Sequence, residues 1–333
     1  MDVKNRSEIV FLYDIKDANP NGDPLDENKP RIDEETEINI VTDVRLKRTI
    51  RDYLYSYKGY NGKNGKDIFV REIKNEQGEI QDSKQRAKDF DNDRERILDQ
   101  CIDVRLFGGT IPISKNKKNQ KSEENEEEGG SITFIGPVQF KFGRSLHRVE
   151  IKYIKGTGAF ASGAEKEHKT FREEYILPYS LISFYGLINE NSAKDTKLTE
   201  EDIDEMLDAM WNGTKNLISR TKIGQMPRLL LRVVYKEKNF HIGDLDKKIK
   251  LIKLKIGNES KEKDDKELRD ISDFKIDLTD LYKAIYAEKD KVEKIEIEAN
   301  ENATFVISDI EYKGRKIQGA FKDLGGILKS LDK

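Results

Sequence analysis

Apolar residues along this chain fall into runs of two kinds, and each kind predicts its own element. Glu8 to Ile15 (EIVFLYDI) is almost continuously apolar, the pattern of a central strand buried on both faces. SITFIGPVQFKF, RVEIKYI, EEYILPYSLISFYG and RLLLRVVY also read as strands, the second alternating Val149, Ile151 and Tyr153 with Glu150 and Lys152. In TDVRLKRTIRDYL, a step of about 100° per residue puts Leu46, Ile50, Tyr53 and Leu54 on one arc of a helix. Lys47, Arg51, Arg48 and Arg45 take the other arc. Thr42 offers its N-cap, and Asp43 suits the positive end of the helix. A second helix is expected from Arg94 to Phe107 on the repeat Ile97, Leu98, Cys101, Ile102 and Leu106, stopped by Gly108 and Gly109. A third begins at Thr199, carries Ile203, Met206, Leu207, Met210 and Trp211 on one face, and can end at Gly213.

Between these runs lie polar stretches. DANPNGDPLDENKPRID has the Pro, Asn, Gly and Asp density of a long turn series. Tyr60 to Asp93 is polar, with Ile68 to Ile73 as a candidate small strand, and Ser114 to Gly130 contains no hydrophobic residue, which predicts a disordered insertion. GTGAFASGAEKEHKT is a flexible excursion between strands. With insertions set aside, the order is strand, helix, strand, strand, helix, strand. That is the ferredoxin-like pattern shared by RRM domains, so the expected class is α+β. From Phe240 onward, strand-like pieces such as KIKLIKLKI alternate with a helix near Leu278 to Ala287, which predicts an α+β extension packed on the palm.

Composition narrows the setting. The 333 residues are enough for a sizeable core, and 35% hydrophobic against 38% charged residues describes a globular chain with a charge-dense surface. The single Cys101 cannot form an internal disulfide, the opening residues lack a signal-peptide pattern, and no run approaches the roughly 18 apolar residues of a membrane span. A cytoplasmic protein with no membrane role is expected. The net charge of −3 argues against a uniformly basic surface, yet charge is sorted along the chain. Ala209 to Lys236 holds Lys215, Arg220, Lys222, Arg228, Arg232 and Lys236 with no carboxylate, and acidic residues gather in Asp195 to Asp208, in Glu123 to Glu128 and in the C-terminal third. Such sorting suits a surface that grips a polyanion on one side.

The segments NRSEIVFLYDIKDANPNGDP, TDVRLKRTIRDYL, DVRLFGG, GPVQFKFGRSLH, FASG and SRTKIGQMPRLLLRVVY follow one another over roughly residues 5 to 240. In that order they resemble the motifs of the RAMP-superfamily backbone subunit of CRISPR Cascade, the Cas-seven family, in its subtype I-B branch called Csh-two. The resemblance implies an RRM-like palm over residues 1–240, with inserted fingers at about 55–135 and a thumb hairpin at about 155–172, followed by the extension at 241–333. It also implies head-to-tail assembly with further copies into a helical filament on CRISPR RNA, alongside other Cascade subunits. Thumbs in that family flip out a base at intervals, and the remaining bases pair with target DNA.

Candidate contacts follow. Arg45, Lys47, Arg48 and Arg51 would meet guide phosphates through charge-assisted bonds, against the alternative of a solvated helix face. GRSLHRVE reads as a strand-to-strand turn presenting Arg144, Ser145, His147 and Arg148, which a plain hairpin would explain equally well. Phe160, surrounded by glycines and small residues, is the leading thumb wedge that the resemblance implies, or else a pin holding the loop to the palm. Lys155, Lys166 and Lys169 would neutralise RNA beside it. Arg220, Lys222 and Gln225 lie in a polar loop suited to gripping a backbone, and Asn19, Asn21 and Lys29 extend the set into the first loop, where turn chemistry also accounts for them.

A catalytic alternative rests on Asp14, Asp17, Asp23, Asp26 and Asp33. Backbone subunits of type III complexes resemble this chain and cut target RNA with a metal-dependent loop aspartate, for which Asp33 or Asp23 would stand here. The motifs are those of the type I branch, so no catalysis, metal or cofactor is expected. His147, His168 and His241 lack metal-ligand spacing, no phosphate-binding GxxxxGK[ST] loop is present, and no RNP-like aromatic pattern marks the strands.

Overall fold

The computed structural model describes residues 1–75, 77–113, 130–157, 171–255, 262–324 and 326–328. Its centre is the strand Ser7–Ala18, which pairs antiparallel with Phe171–Ile188 on one side and Met226–Tyr235 on the other. Phe171–Ile188 continues to Gly143–Arg148. The helices Asp43–Tyr57 and Glu200–Lys215 complete the palm. In chain order the four strands lie fourth, first, third, second across the sheet, all antiparallel, the ferredoxin-like arrangement that the element order predicts.

Alternation along Ser7–Ala18 explains why its sequence is apolar on both sides. Ile9, Phe11, Tyr13 and Ile15 face a core shared with Leu46, Ile50, Met206 and Trp211 of the two helices, while Val10 and Leu12 face a second core with Leu229, Leu231, Phe274, Leu281 and Phe305. Each such fully buried side chain contributes about 1.5–3 kcal/mol. Both sheet faces are thus covered.

The second cover comes from the C-terminal segment. Lys250–Lys253, Phe274–Asp277, Thr304–Ile307 and Ile310–Lys313 form a four-stranded sheet, Thr279–Ala287 a helix, and Val292–Ala299 extends the palm sheet beyond Met226–Tyr235. One buried carboxylate fastens the junction. Glu8 accepts hydrogen bonds from the hydroxyls of Tyr185 and Tyr235 and from the backbone N–H groups of Ile242 and Gly243. Among the described residues no helix is long and apolar enough to cross a membrane.

Helix starts follow the sequence. The Thr42 side chain accepts from the Arg45 N–H, and Thr199 forms a capping box with Asp202. Helix ends do not all follow. Glu200–Lys215 continues through Gly213, where an added Cβ would lie 2.9 Å from the Tyr53 Cβ, so this glycine admits close helix packing instead of stopping the helix. The expected helix from Arg94 to Phe107 is two, Arg94–Gln100 and Ile102–Phe107, divided at an extended Cys101. The backbone of Asp67 enters the break, its N–H donating to Gln100 and its carbonyl accepting from Ile102.

Three strand assignments are also corrected. Ile68 to Ile73 forms no strand; Ile68 and Phe69 are buried instead, Phe69 in a small core with Phe90, Leu98, Cys101 and Phe134. Gly130–Ile135 leaves the palm to pair with Gly108–Ile113 as a separate ribbon, so only Val138–Phe140 of that run pairs with the palm. The GRSLHR segment is no turn but the second palm strand, Gly143–Arg148. Its buried positions are Gly143, Ser145 and His147, which carry no apolar signal.

Candidate nucleic-acid interface

One end of the palm sheet gathers three polar elements. After Ala18 the chain enters a loop with Glu27 and Asn28 at positive φ, and Gly22 is required where an added Cβ would lie 2.1 Å from the Asn28 Oδ1. Asn21 ties this loop to the first helix, its Oδ1 accepting from the N–H and the hydroxyl of Thr42, both at 2.9 Å. Asn19 ties it to the loop before Met226, donating its N–H to the Thr221 carbonyl at 2.9 Å, and its own carbonyl accepts from Lys222 Nζ at 3.1 Å.

Arg45 enters this corner from the first turn of the helix. Among the described residues neither Arg45 nor Lys222 has a carboxylate in ion-pair range, and each is half-buried. Burial, and then the Arg45 charge, pulls the Lys222 ammonium below the usual lysine range. Burial likewise lowers Arg45. Buried atoms without a partner collect in the same elements: Arg45 Nε, Asn19 Oδ1 and Gln225 Nε2. The cations and the donors Arg45 Nε and Gln225 Nε2 are what an oxyanion would complete, whereas Asn19 Oδ1, an acceptor, is not.

The other predicted cations are placed differently. Lys47 pairs with Asp43 at 2.9 Å and Arg48 with Asp52 at 2.8 Å, while Arg51 turns inward to the buried Asp103 at 2.8 Å. The expectation of a uniformly available cationic helix face is corrected, because the chain supplies a carboxylate within reach of three of the four. Arg144 lies 3.4 Å from Asp33, and Arg148 lies 3.0 Å from Asp264 and 3.5 Å from Asp265. Arg220 pairs with Glu174 at 2.6 Å and Lys29 with Asp26 at 2.7 Å, and Lys155 stands 4.0 Å from Glu173.

Ser145 and His147 are corrected from surface contacts to interior groups. The Ser145 hydroxyl donates to the His147 carbonyl and accepts from the Asn39 N–H. The His147 ring stacks on Tyr179, its Nε2 accepting from the Leu181 N–H, and burial lowers its pKa. Phe160, Lys166 and Lys169 lie outside the described residues. Asp23 and Asp33 work as turn carboxylates. Asp23 accepts from the Leu25 N–H and pairs with Arg31 at 2.7 Å, and Asp33 accepts from the Glu35 and Thr36 N–H groups, bonds that hold its pKa below the usual carboxylate range.

Sequence reading missed Thr42 as part of this corner, as well as the exposed Tyr153 and the half-buried Tyr175 on the neighbouring hairpin. The alternation in RVEIKYI placed Tyr153 on one strand face, and only the pairing register shows Tyr175 opposite it.

Fold and site together define an RRM-like palm whose sheet faces are both covered and whose loop end carries unpaired cations. Residues 5–279 match the family described as CRISPR-associated protein Cas7. The CRISPR-associated protein Cas7 of Haloferax volcanii is 30% identical over 349 residues, an alignment that takes in 100% of this chain and 98% of the relative. The chain belongs to the Cas7 family. Among solved structures, a chain of a CRISPR RNA-guided surveillance complex, pre-nicking, is similar at 11% identity and a TM-score of 0.49, covering 91% of this chain and 96% of that one. A second, from a CRISPR RNA-guided surveillance complex, has 14% identity and a TM-score of 0.45, with 89% and 90% covered.

Proposed function

We propose that this chain is the CRISPR RNA-binding backbone subunit of a type I Cascade complex, of subtype I-B, acting in the cytoplasm. Copies assemble head to tail along the guide, present it for pairing with target DNA and make no cut themselves. Family membership supports the reading, and one observation carries it: Arg45 and Lys222, both half-buried at the loop end of the palm and near enough for the Arg45 charge to act on Lys222, have no carboxylate in ion-pair range. A polyanion threaded past this corner gains charge-assisted bonds where the fold leaves cations unmatched. Recognition through backbone and shape leaves sequence reading to base pairing.

The test is binding to a long single-stranded RNA, with and without magnesium, followed by nuclease footprinting and gel analysis of the RNA. Regularly spaced footprints on intact RNA, with an affinity that falls steeply with salt, are expected. Magnesium-dependent cuts lost in Asp33→Ala or Asp23→Ala would replace this reading by that of a metal-dependent ribonuclease. Absence of binding would defeat both.

A further inference from the structure

The hairpin of Lys152–Thr157 against Phe171–Ile188 pairs Tyr153 directly with Tyr175. Side chains opposite each other share a sheet face, and here the ring centroids lie 5.1 Å apart with planes 38° from parallel. Tyr153 is 42% exposed, and neither ring belongs to any of the three apolar cores. The hydroxyls are anchored at their edges, Tyr175 donating to Glu27 at 2.8 Å and Tyr153 to Glu173, whose bond pushes the Tyr153 phenol up to about 12. Lys29 Nζ lies 5.2 Å from the Tyr175 ring centre and Lys155 Nζ 5.5 Å from that of Tyr153.

Position adds the second argument. Glu174, next in the strand and so on the opposite face, holds Arg220 at 2.6 Å, which sets the hairpin beside the loop that carries Lys222. An anchored ring pair, Tyr153 exposed and Tyr175 half-buried behind it, next to a cationic corner has the parts that single-stranded nucleic acid uses: an aromatic face for a base and ammonium groups for its phosphates.

We propose that Tyr153, backed by Tyr175, is a stacking platform for one unpaired base of the bound RNA, with the cationic corner beside the hairpin on the flanking phosphates. This rests on the RNA-binding reading above. The platform needs a ring, whereas a pin between hairpin and loop would need the hydroxyl, and that difference makes it testable.

The probe is a long single-stranded RNA carrying the fluorescent base 2-aminopurine at one position, walked along its length. With wild-type protein, quenching at recurring positions is expected. Tyr153→Phe and Tyr153→Trp should keep both the recurrence and the affinity, whereas Tyr153→Leu should lose the recurrence and bind about tenfold more weakly. Matching melting curves would confirm intact folds. If wild-type protein gives regular footprints but Tyr153→Leu quenches and binds as wild type does, the platform falls and the RNA-binding reading stands. If Tyr153→Phe fails as Tyr153→Leu does, the hydroxyl and not the ring matters, and the platform also falls. No binding by wild-type protein would remove both.

Discussion

Two sets of cations in this molecule sit in comparable burial and differ in what faces them. Arg51, Arg86 and Arg105 each reach a buried carboxylate, on Asp103, Asp67 and Asp202. Arg45 and Lys222 reach none in ion-pair range, and the Arg45 charge acts on Lys222. Desolvated charge is stable when matched: the Arg51 and Arg105 pairs fasten the helix Ile102–Phe107 to the two palm helices, and Arg86 with Asp67 ties the insertion together. The second set stays without an ion-pair partner in the unbound chain, and its pKa values move down because desolvation outweighs what offsets it, the more distant Asp52 and Tyr13 at Arg45. The difference teaches that density of positive charge does not locate a polyanion site. The missing carboxylate does.

Removing a partner from the matched set should have the largest effect. Asp103 accepts from the Phe69 and Val70 N–H groups and from Arg51 Nε, and is fully buried. Asp103→Ala leaves a charge and two backbone donors without acceptors, so a loss of about 3–5 kcal/mol is expected in chemical denaturation. RNA affinity of the folded fraction should not change. An affinity that shifts in parallel would make Arg51 an RNA contact and break the comparison.

A smaller and opposite signature is expected at Lys222. Lys222→Met should weaken RNA binding and reduce the salt slope by about one, while stability holds or rises because Arg45 loses a like-charged neighbour. The pH dependence has a definite sign. Bound phosphate restores the ordinary affinity of Lys222 for its proton, so wild-type RNA binding is full at neutral pH and falls as pH rises through the lowered ammonium pKa toward the ordinary value of 10.5. For the unliganded fold the sign reverses, stability rising with pH over that window because the unfolded chain holds the proton that the folded chain gives up. Binding titrations across this range in wild type and Lys222→Met check both, and a pH profile that survives the substitution would remove Lys222 from the site.

How much of this is legible in the sequence depends on range. The central strand, the capped starts at Thr42 and Thr199 and the apolar arcs of their helices are local patterns, and the structure keeps them. The strand Gly143–Arg148 is not legible, because its inward residues are Gly, Ser and His, and their burial is made acceptable by Asn39 and Leu181, distant in sequence. The break at Cys101 is set by the backbone of Asp67, which no periodicity within the helix could announce. At the site, the polar and cationic character of Asn19, Arg45, Lys222 and Gln225 is plain from the chain alone. Which cations are matched is not, since Asp103 lies 52 residues from Arg51 and Asp202 lies 97 from Arg105.

The smallest effect tests whether an in-chain partner decides function when it is exposed. Arg48 donates through Nε to both oxygens of Asp52 at 2.8 and 2.9 Å, with the two side chains 49% and 44% exposed. Such a pair four residues apart on a helix stabilises by about 0.3–0.5 kcal/mol, so Arg48→Ala should move the denaturation midpoint barely at all. Its charge is already offset at close range, and salt screens what remains, so RNA affinity should change by no more than about 0.5 kcal/mol. Because the pair lies in water, RNA could exchange places with Asp52 at little cost, unlike Asp103, whose release would strand buried donors. A loss on Arg48→Ala as large as that on Lys222→Met would therefore show that an exposed carboxylate only holds a place for phosphate, and would confine the rule of the missing partner to buried cations.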